Sequence, residues 1–426
     1  MKRKALFFTL LLSLSNLVYA QENELSLSLD EAKEYAVHHN RSLQNASLDV
    51  QIAEANRWQM LSNMLPQIKA SYDYMNMCGY EMNLSGMTIP MDPYGTLGLT
   101  ASIALNGQMI VGLQTLKIAK AMSDITLKKT ERDIISNVTK VYMSILAMES
   151  TVDLLNQNLA NMEKLHEMTE NSVKIGVVEQ TDADKLLVQV ATMRTSINST
   201  KRSLEMLYNS LILQLGADVD TKITLTDKIE SILNVDEAMT LLNTQFELDS
   251  NYNYQLLGIS MDLAEKSVLA EEMAFTPTLS AYYQYSNKRY FGDEGMNMTP
   301  PSVIGVSLSL PLWTSWQRMS NIKEAKISYD QTKNNFENAK DGLLIQDKQL
   351  RFNLTSAYET YQTQESNLDV TKRVFDNITI KYGQGAASSL EVTNASTNLV
   401  AAQSSYISAM LDLINAKVEL EDLLNK

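Results

Sequence analysis

The chain is poor in the residues that build metal and disulfide frameworks. Its 426 residues include one Cys and three His. That excludes an intrachain disulfide framework and a Cys/His zinc site of the usual four-ligand kind. Proline is scarce as well, and unevenly placed. All seven prolines fall in two windows, Pro66 to Pro93 and Pro277 to Pro311, while 94–276 and 312–426 contain none. Basic residues number 36 against 50 acidic ones, a net charge of −14. Such a chain is a poor nucleic-acid binder, because phosphate neutralisation needs clustered Lys and Arg. Beyond the first 20 residues there is no 18-residue apolar run, so no transmembrane helix is expected in the mature chain. There is no Gly-x-Ser-x-Gly elbow and no P-loop. Glu163-Lys-Leu-His166 is only half of a di-iron helix motif, which needs a second copy and two further Glu on facing helices. His166 reads as a tolerated seam or surface residue, and no catalytic residue, cofactor or metal is expected.

What is present begins with a leader. Lys2, Arg3 and Lys4 precede an apolar stretch from Ala5 to Leu14, and Val18-Tyr19-Ala20 forms a small-residue cleavage site before Gln21. Residues 1–20 therefore read as a secretory signal. No Cys follows the leader, since the only one is Cys78. N-terminal lipidation at a Cys is excluded.

The mature chain is internally repeated. Asp30-Glu31-Ala32 returns as Asp236-Glu237-Ala238. Pro66, Ala70, Tyr72 and Tyr74 return as Pro277, Ala281, Tyr283 and Tyr285, at a constant offset of 211. Gly176, six residues before Asp182, matches Gly385, six before Glu391, at an offset of 209. The first repeat, 21–228, is expected to hold a helix from Asp30 to Met64, strands 67–77 and 95–105, a long helix 107–175 and a return helix 181–215. The second, 229–426, is expected to hold a helix 236–274, strands 278–287 and 302–310, a long helix 314–381 and a return helix 388–425. Gly216 and the segment 218–227 form the join.

The strand segments alternate with a period of two. One set comprises Ile68, Ala70, Tyr72 and Tyr74, then Leu97, Leu99, Ala101, Ile103 and Leu105. The second repeat supplies Leu279, Ala281, Tyr283 and Tyr285, then Ile304, Val306, Leu308 and Leu310. The opposite set is small or polar, and Lys69 and Asp73 lie in it. A soluble sheet with one face on a core fits this pattern. So does a transmembrane β-barrel, apolar outward, whose tilted strands need 9–11 residues. Export without a membrane helix, and helices too long to fold back over a small sheet, favour the barrel. Four strands cannot close one, since the smallest have about eight. Two copies would give eight strands and a plugged lumen, three copies twelve and room for water, so an oligomer is expected, with a trimer favoured. The loops 78–94 and 287–301, with Gly79, Gly86, Pro90, Pro93, Gly292 and Gly295, would face the outside of the cell.

Residues 107–175 would span roughly 100 Å as a helix. A 3–4 spacing runs unbroken from Ile134 through Val138, Ile145, Val152, Leu155, Met162, His166 and Thr169 to Val173. The second repeat has its counterpart from Ala325 to Leu350 and, after a one-residue slip, from Leu354 to Tyr382. This is coiled-coil packing, relaxed by the slip. Gly176 and the Gly383/Gly385 pair are permissive positions where each chain reverses.

Three stretches then carry a family likeness. They are Leu310-Pro311-Leu312-Trp313-Thr314-Ser315-Trp316-Gln317-Arg318 with the weaker Ala104-Leu105-Asn106-Gly107, Val173-Lys174-Ile175-Gly176-Val177-Val178-Glu179-Gln180-Thr181-Asp182, and Tyr382-Gly383-Gln384-Gly385 followed by Leu390-Glu391-Val392 and Asn394-Ala395. Through them the mature chain resembles the TolC family of outer-membrane efflux proteins. The resemblance implies a membrane α+β fold: a homotrimer whose 12-stranded β-barrel, four strands per chain, sits in outer-membrane lipid and continues as a long periplasmic α-helical barrel. It implies a channel that receives small molecules (drugs, toxic compounds or metal ions) from an RND or ABC type inner-membrane transporter through a periplasmic adaptor. A type I protein secretion channel is the nearest alternative. A structural coiled-coil surface protein is a more distant one. By the same resemblance Glu391 and Asn394 fall at the periplasmic entrance ring. Gly176, Val177, Thr181, Asp182, Tyr382, Gly383 and Gly385 fall at the tip turns that meet the adaptor. Tyr382 is placed to hydrogen-bond Asp182 or Thr181. Ala387 stands where some relatives have a basic residue, which points to hydrogen bonds rather than salt bridges as the latch. Pro66, Pro277 and Pro311 mark the barrel-to-helix junctions.

Overall fold

The computed structural model describes residues 24–84, 87–232, 235–292 and 300–425. The leader 1–20, Gly86 and Gly295 lie outside the described residues. In chain order the elements are β1 (Glu24–Leu27), α1 (Leu29–His39), α2 (Arg41–Asn63), β2 (Gln67–Met75), β3 (Glu81–Leu84), β4 (Met87–Pro90), β5 (Tyr94–Leu105), α3 (Gly107–Lys174) and α4 (Gln180–Leu215). There follow β6 (Lys222–Leu225), α5 (Ile229–Ile232), α6 (Val235–Thr240), two single 3₁₀ turns, α7 (Tyr252–Met273), β7 (Thr278–Tyr290), β8 (Ser302–Ser309), α8 (Gln317–Gly383) and α9 (Ser389–Leu423). They form two compact units. Among the described residues, one is drawn from 24–45, 128–251 and 342–425, the other from 46–127 and 252–341. Each unit takes segments from both sequence repeats, because like elements of the two repeats pack together.

The strand-bearing unit contains a four-stranded antiparallel sheet in the order β2-β5-β7-β8. Its register aligns the alternating sets. Tyr72 stands opposite Leu97, Leu99 opposite Tyr285, Leu279 opposite Leu308, and Tyr283 opposite Ile304. Directly opposed residues share a face, so the apolar sets of all four strands form one surface. That surface is uncovered within the chain: Ile304 is 81% exposed and Ile68 71%. The other face pairs Lys69 with Thr100, Asp73 with Thr96 and Ser280 with Ser307. Tyr282 lies across Gly305, where an added Cβ would stand 2.5 Å from the ring. Pro66, Pro277 and Pro311 sit in the connections between helix and strand, where a missing N–H and a fixed φ are tolerated. The expected loop 78–94 contains the β3–β4 hairpin, and β7 runs three residues past the expected end at 287.

The helical unit is built on α1, the Lys128–Lys174 part of α3, α4, the Gly342–Gly383 part of α8, and α9. Ile134, Val138, Ile145, Val152, Leu155, Met162 and Thr169 of the sequence stripe are buried in α3, and Leu343, Leu350, Leu354, Tyr361 and Phe375 in α8. Two expected helices are interrupted. The one expected from Asp30 to Met64 breaks at Asn40 (ψ 125°). The one expected over 236–274 is replaced by α6, the 3₁₀ turns and α7, with a break at Asn251 (ψ 125°). The reason is tertiary and repeats with the sequence. The Asn40 side chain donates to the Gln214 carbonyl at the end of α4 (2.6 Å), and the Asn251 side chain donates to the Leu423 carbonyl at the end of α9 (2.9 Å). Arg351 adds a clamp on the second interruption, donating to the carbonyls of Leu242 and Thr244 at 2.7 Å each while paired with Asp347 at 2.8 Å. The join carries a strand the sequence pattern did not indicate, since β6 pairs in parallel with β1. Asp227 accepts from the Leu29 amide (2.7 Å) and from the Tyr142 hydroxyl (2.9 Å), pinning that pair to α3.

Candidate functional site at the hairpin tips

The two helical hairpins reverse through the same backbone device. Gly176 and Gly385 have φ +78° and +74°. Around the first, the amide of Gly176 donates to the Val173 carbonyl (2.9 Å) and that of Val177 to the Ser172 carbonyl (3.0 Å). Around the second, Gly385 donates to Tyr382 (2.9 Å) and Ala386 to Lys381 (2.8 Å). Both are Schellman closures, which satisfy the last helical carbonyls and require a left-handed residue. Gly383 differs from expectation. It is the last residue of α8 and has no positive φ, so Gly385 alone makes the turn.

Beyond the turns, the return helices start differently. Ser388 and Glu391 form a reciprocal capping box at the start of α9. The Ser388 amide donates to Glu391 Oε2 (2.7 Å), and the Glu391 amide donates to Ser388 Oγ (3.2 Å). These bonds hold the Glu391 carboxyl below the usual carboxylate range, the backbone donor contributing most. At the start of α4, Glu179 occupies the cap position without a side-chain cap bond, and the Thr181 hydroxyl donates to its carboxylate (3.2 Å). Asn394 is exposed one turn beyond Glu391.

At the tips, two hydrogen bonds among the described residues tie the hairpins to each other. Ser389 Oγ donates to Asp182 Oδ1 at 2.5 Å, linking α9 to α4. The Tyr382 hydroxyl meets Thr169 Oγ1, linking α8 to α3. Tyr382 was expected to reach Asp182 or Thr181. Asp182 is instead taken by Ser389 and by Lys185 (3.1 Å), which together lower its carboxyl, Ser389 first. Beneath these bonds a shared apolar cluster joins all four helices, with Met162, Leu165, Leu186, Val190, Phe375 and Val392 at its centre. Thr169 belonged to the sequence stripe. Ser388 and Ser389 were missed, although the Ser-x-x-Glu spacing of a capping box was there to be read.

Glu163 is occupied by Arg194 (2.6 Å), and His166 stands 3.8 Å from Glu170. Among the described residues no group of three or more His, Cys, Asp or Glu is disposed to hold a metal ion. Among them too, no helix is long and apolar enough to cross a membrane.

Comparison with known proteins agrees with this architecture. The family profile described as Outer membrane efflux protein matches residues 34–217 and 247–426. The outer membrane efflux protein BepC of Brucella suis is 21% identical over 416 residues, covering 96% of this chain and 87% of the relative. The outer membrane protein TolC of Salmonella enteritidis is 21% identical over 411 residues, covering 90% and 80%. The structure of the outer membrane protein VceC from Vibrio cholerae matches with a TM-score of 0.75 at 17% identity, covering 93% of this chain and 95% of that one. The chain, with its one-faced four-stranded sheet and paired helical hairpins, belongs to the outer membrane efflux protein family, the TolC-type channels of the Gram-negative outer membrane.

Proposed function

We propose that three copies of this chain close a 12-stranded barrel. That channel passes small molecules, whether drugs, toxic compounds or metal ions, to the outside from an inner-membrane transporter of the RND or ABC type and a periplasmic adaptor. The observation that carries this is the sheet. One face is apolar in register across all four strands, and among the described residues β2 and β8 each pair on one side only. An apolar sheet with two open edges is a liability in water. In a bilayer, closure between copies satisfies both the edges and the face. The expected result is a detergent-solubilised particle with the mass of three chains that conducts ions in planar bilayers. A water-soluble, non-conducting monomer would sink the reading.

The tips are the proposed periplasmic entrance and adaptor contact, with Glu391 and Asn394 at the ring. Cap and ring are compatible roles for Glu391, because the Ser388 amide (2.7 Å) and the Ser388 hydroxyl (3.1 Å) both donate to Oε2 and the residue is exposed. A threefold ring of carboxylates focuses cations at a narrow mouth. The latch in this reading is the pair of hydrogen bonds Tyr382–Thr169 and Ser389–Asp182 holding the hairpins together. Tyr382→Phe and Thr169→Val should each raise single-channel conductance, and the double variant should add nothing to either. Additive effects would separate the two residues. Glu391→Gln should reduce cation preference, and an unchanged reversal potential would remove it from the ring.

A further inference from the structure

The apolar face of the sheet carries one charge among its described strand residues, and its height on the strand is informative. From Leu279 to Tyr285 the residues of β7 on this face are apolar or aromatic, as are nearly all their cross-strand partners. Asn287 follows, and then Arg289. Leu279 lies at the end where the sheet meets its helices, and its partner Leu105 is the last residue of β5. Ten residues separate Leu279 from Arg289, about 34 Å along a strand. At the usual tilt of a membrane strand this is about 25 Å along the membrane normal, the height of the apolar band of an outer-membrane barrel. Arg289 therefore stands at the outer edge of the hydrocarbon, level with headgroups.

Its neighbours suit a phosphate. Arg289 faces Gly95, which in turn faces Tyr74. The space over Gly95 is filled by the phenol of Tyr72, since an added Cβ would lie 3.0 Å from its Cζ. The Tyr72 hydroxyl therefore lies over the residue directly opposite Arg289, on the same face of the sheet. Tyr74 and Phe291 pack as a tilted pair with centroids 5.8 Å apart at the same level, a boundary of amphipathic and aromatic side chains. Arg289 is exposed. Lys288, one residue earlier, faces the opposite side and is held 3.5 Å over the Tyr94 ring.

We propose that Arg289, with the Tyr72 hydroxyl over its cross-strand neighbour Gly95, binds the phosphate of an outer-leaflet lipid headgroup. A guanidinium presents a planar fork to phosphate oxygens, and basic side chains at the bilayer edge hold headgroups. The proposal rests on the barrel reading above, because that reading turns this face outward.

The test uses the full-length protein in detergent and three probes: an acylated glucosamine disaccharide bisphosphate, the same lipid without phosphates, and inorganic phosphate. Arg289→Gln should weaken binding of the phosphorylated lipid about tenfold, and Arg289→Lys should weaken it less, because charge survives and the fork is lost. Tyr72→Phe should show a smaller loss. Lys288→Gln should leave lipid binding unchanged. The lipid without phosphates should bind wild type and Arg289→Gln alike, and millimolar inorganic phosphate should not displace the phosphorylated lipid. Equal affinity of wild type and Arg289→Gln for the phosphorylated lipid overturns the proposal, as does full displacement by inorganic phosphate. Mass and conductance measured on the same samples distinguish this failure from failure of the barrel reading: a conducting trimer with equal lipid affinities rejects the site alone.

Discussion

At Ser388–Glu391 a four-residue spacing becomes a structural element, and its charge state can be followed. The Glu391 carboxyl is held low by the Ser388 amide and hydroxyl, and the Asp182 carboxyl by Ser389 and Lys185. A carboxyl whose folded value is depressed stabilises the fold above its unfolded value and loses that contribution as pH falls through the folded one. The start of α9 should therefore loosen as pH drops below about 4.5. Hydrogen exchange at residues 388–392 should accelerate there, and Ser388→Ala should remove most of that pH dependence. The residue scale is also where reading the sequence went astray. Tyr382 bonds Thr169 rather than Asp182 or Thr181, because its partner depends on which side chain of a neighbouring helix lies level with it. No local pattern encodes that height.

Each element shows the same division. Gly176 and Gly385 were legible as turns, since left-handed closure demands a residue without a Cβ. Gly383, two residues from Gly385, looks equally permissive and is helical. The contrast is testable by thermal melts. Gly385→Ala should destabilise by about 1–2 kcal/mol, whereas Gly383→Ala should be neutral or stabilise by up to about 1 kcal/mol. The interruptions at Asn40 and Asn251 were not legible. Their cause is a carbonyl far away in sequence, Gln214 in one repeat and Leu423 in the other. Asn251, 2% exposed, leaves a buried acceptor unsatisfied if removed, so Asn251→Ala should cost about 1–3 kcal/mol. Arg351→Met, which removes the clamp on the Leu242 and Thr244 carbonyls, should expose the segment 241–250 to limited proteolysis before the rest of the chain.

On the scale of the whole molecule, the period-two pattern makes a prediction that depends on facing alone. Val303 and Ile304 are adjacent in β8, and the register places Val303 opposite Gln284 and Ile304 opposite Tyr283. In a barrel, Ile304→Arg puts a guanidinium into lipid near mid-height, a cost of about 2–4 kcal/mol. Val303→Arg points into the lumen. The first should reduce the folded outer-membrane fraction. The second should assemble normally and shift ion selectivity. Equal assembly of both would contradict an outward apolar face.

Taken alone, the residues determined the period of the four strands of the main sheet, the long helical stripes, the twofold repeat and the need for more than one copy, because alternation, 3–4 spacing and proline exclusion are local consequences of backbone geometry. Only the tertiary structure decided where the helices break, which hydrogen bonds join the hairpin tips, that β1 pairs with β6, and that like segments of the two repeats share one sheet and one helical core. Those outcomes are set by groups separated by some 170 residues or more, whose meeting depends on how whole elements pack.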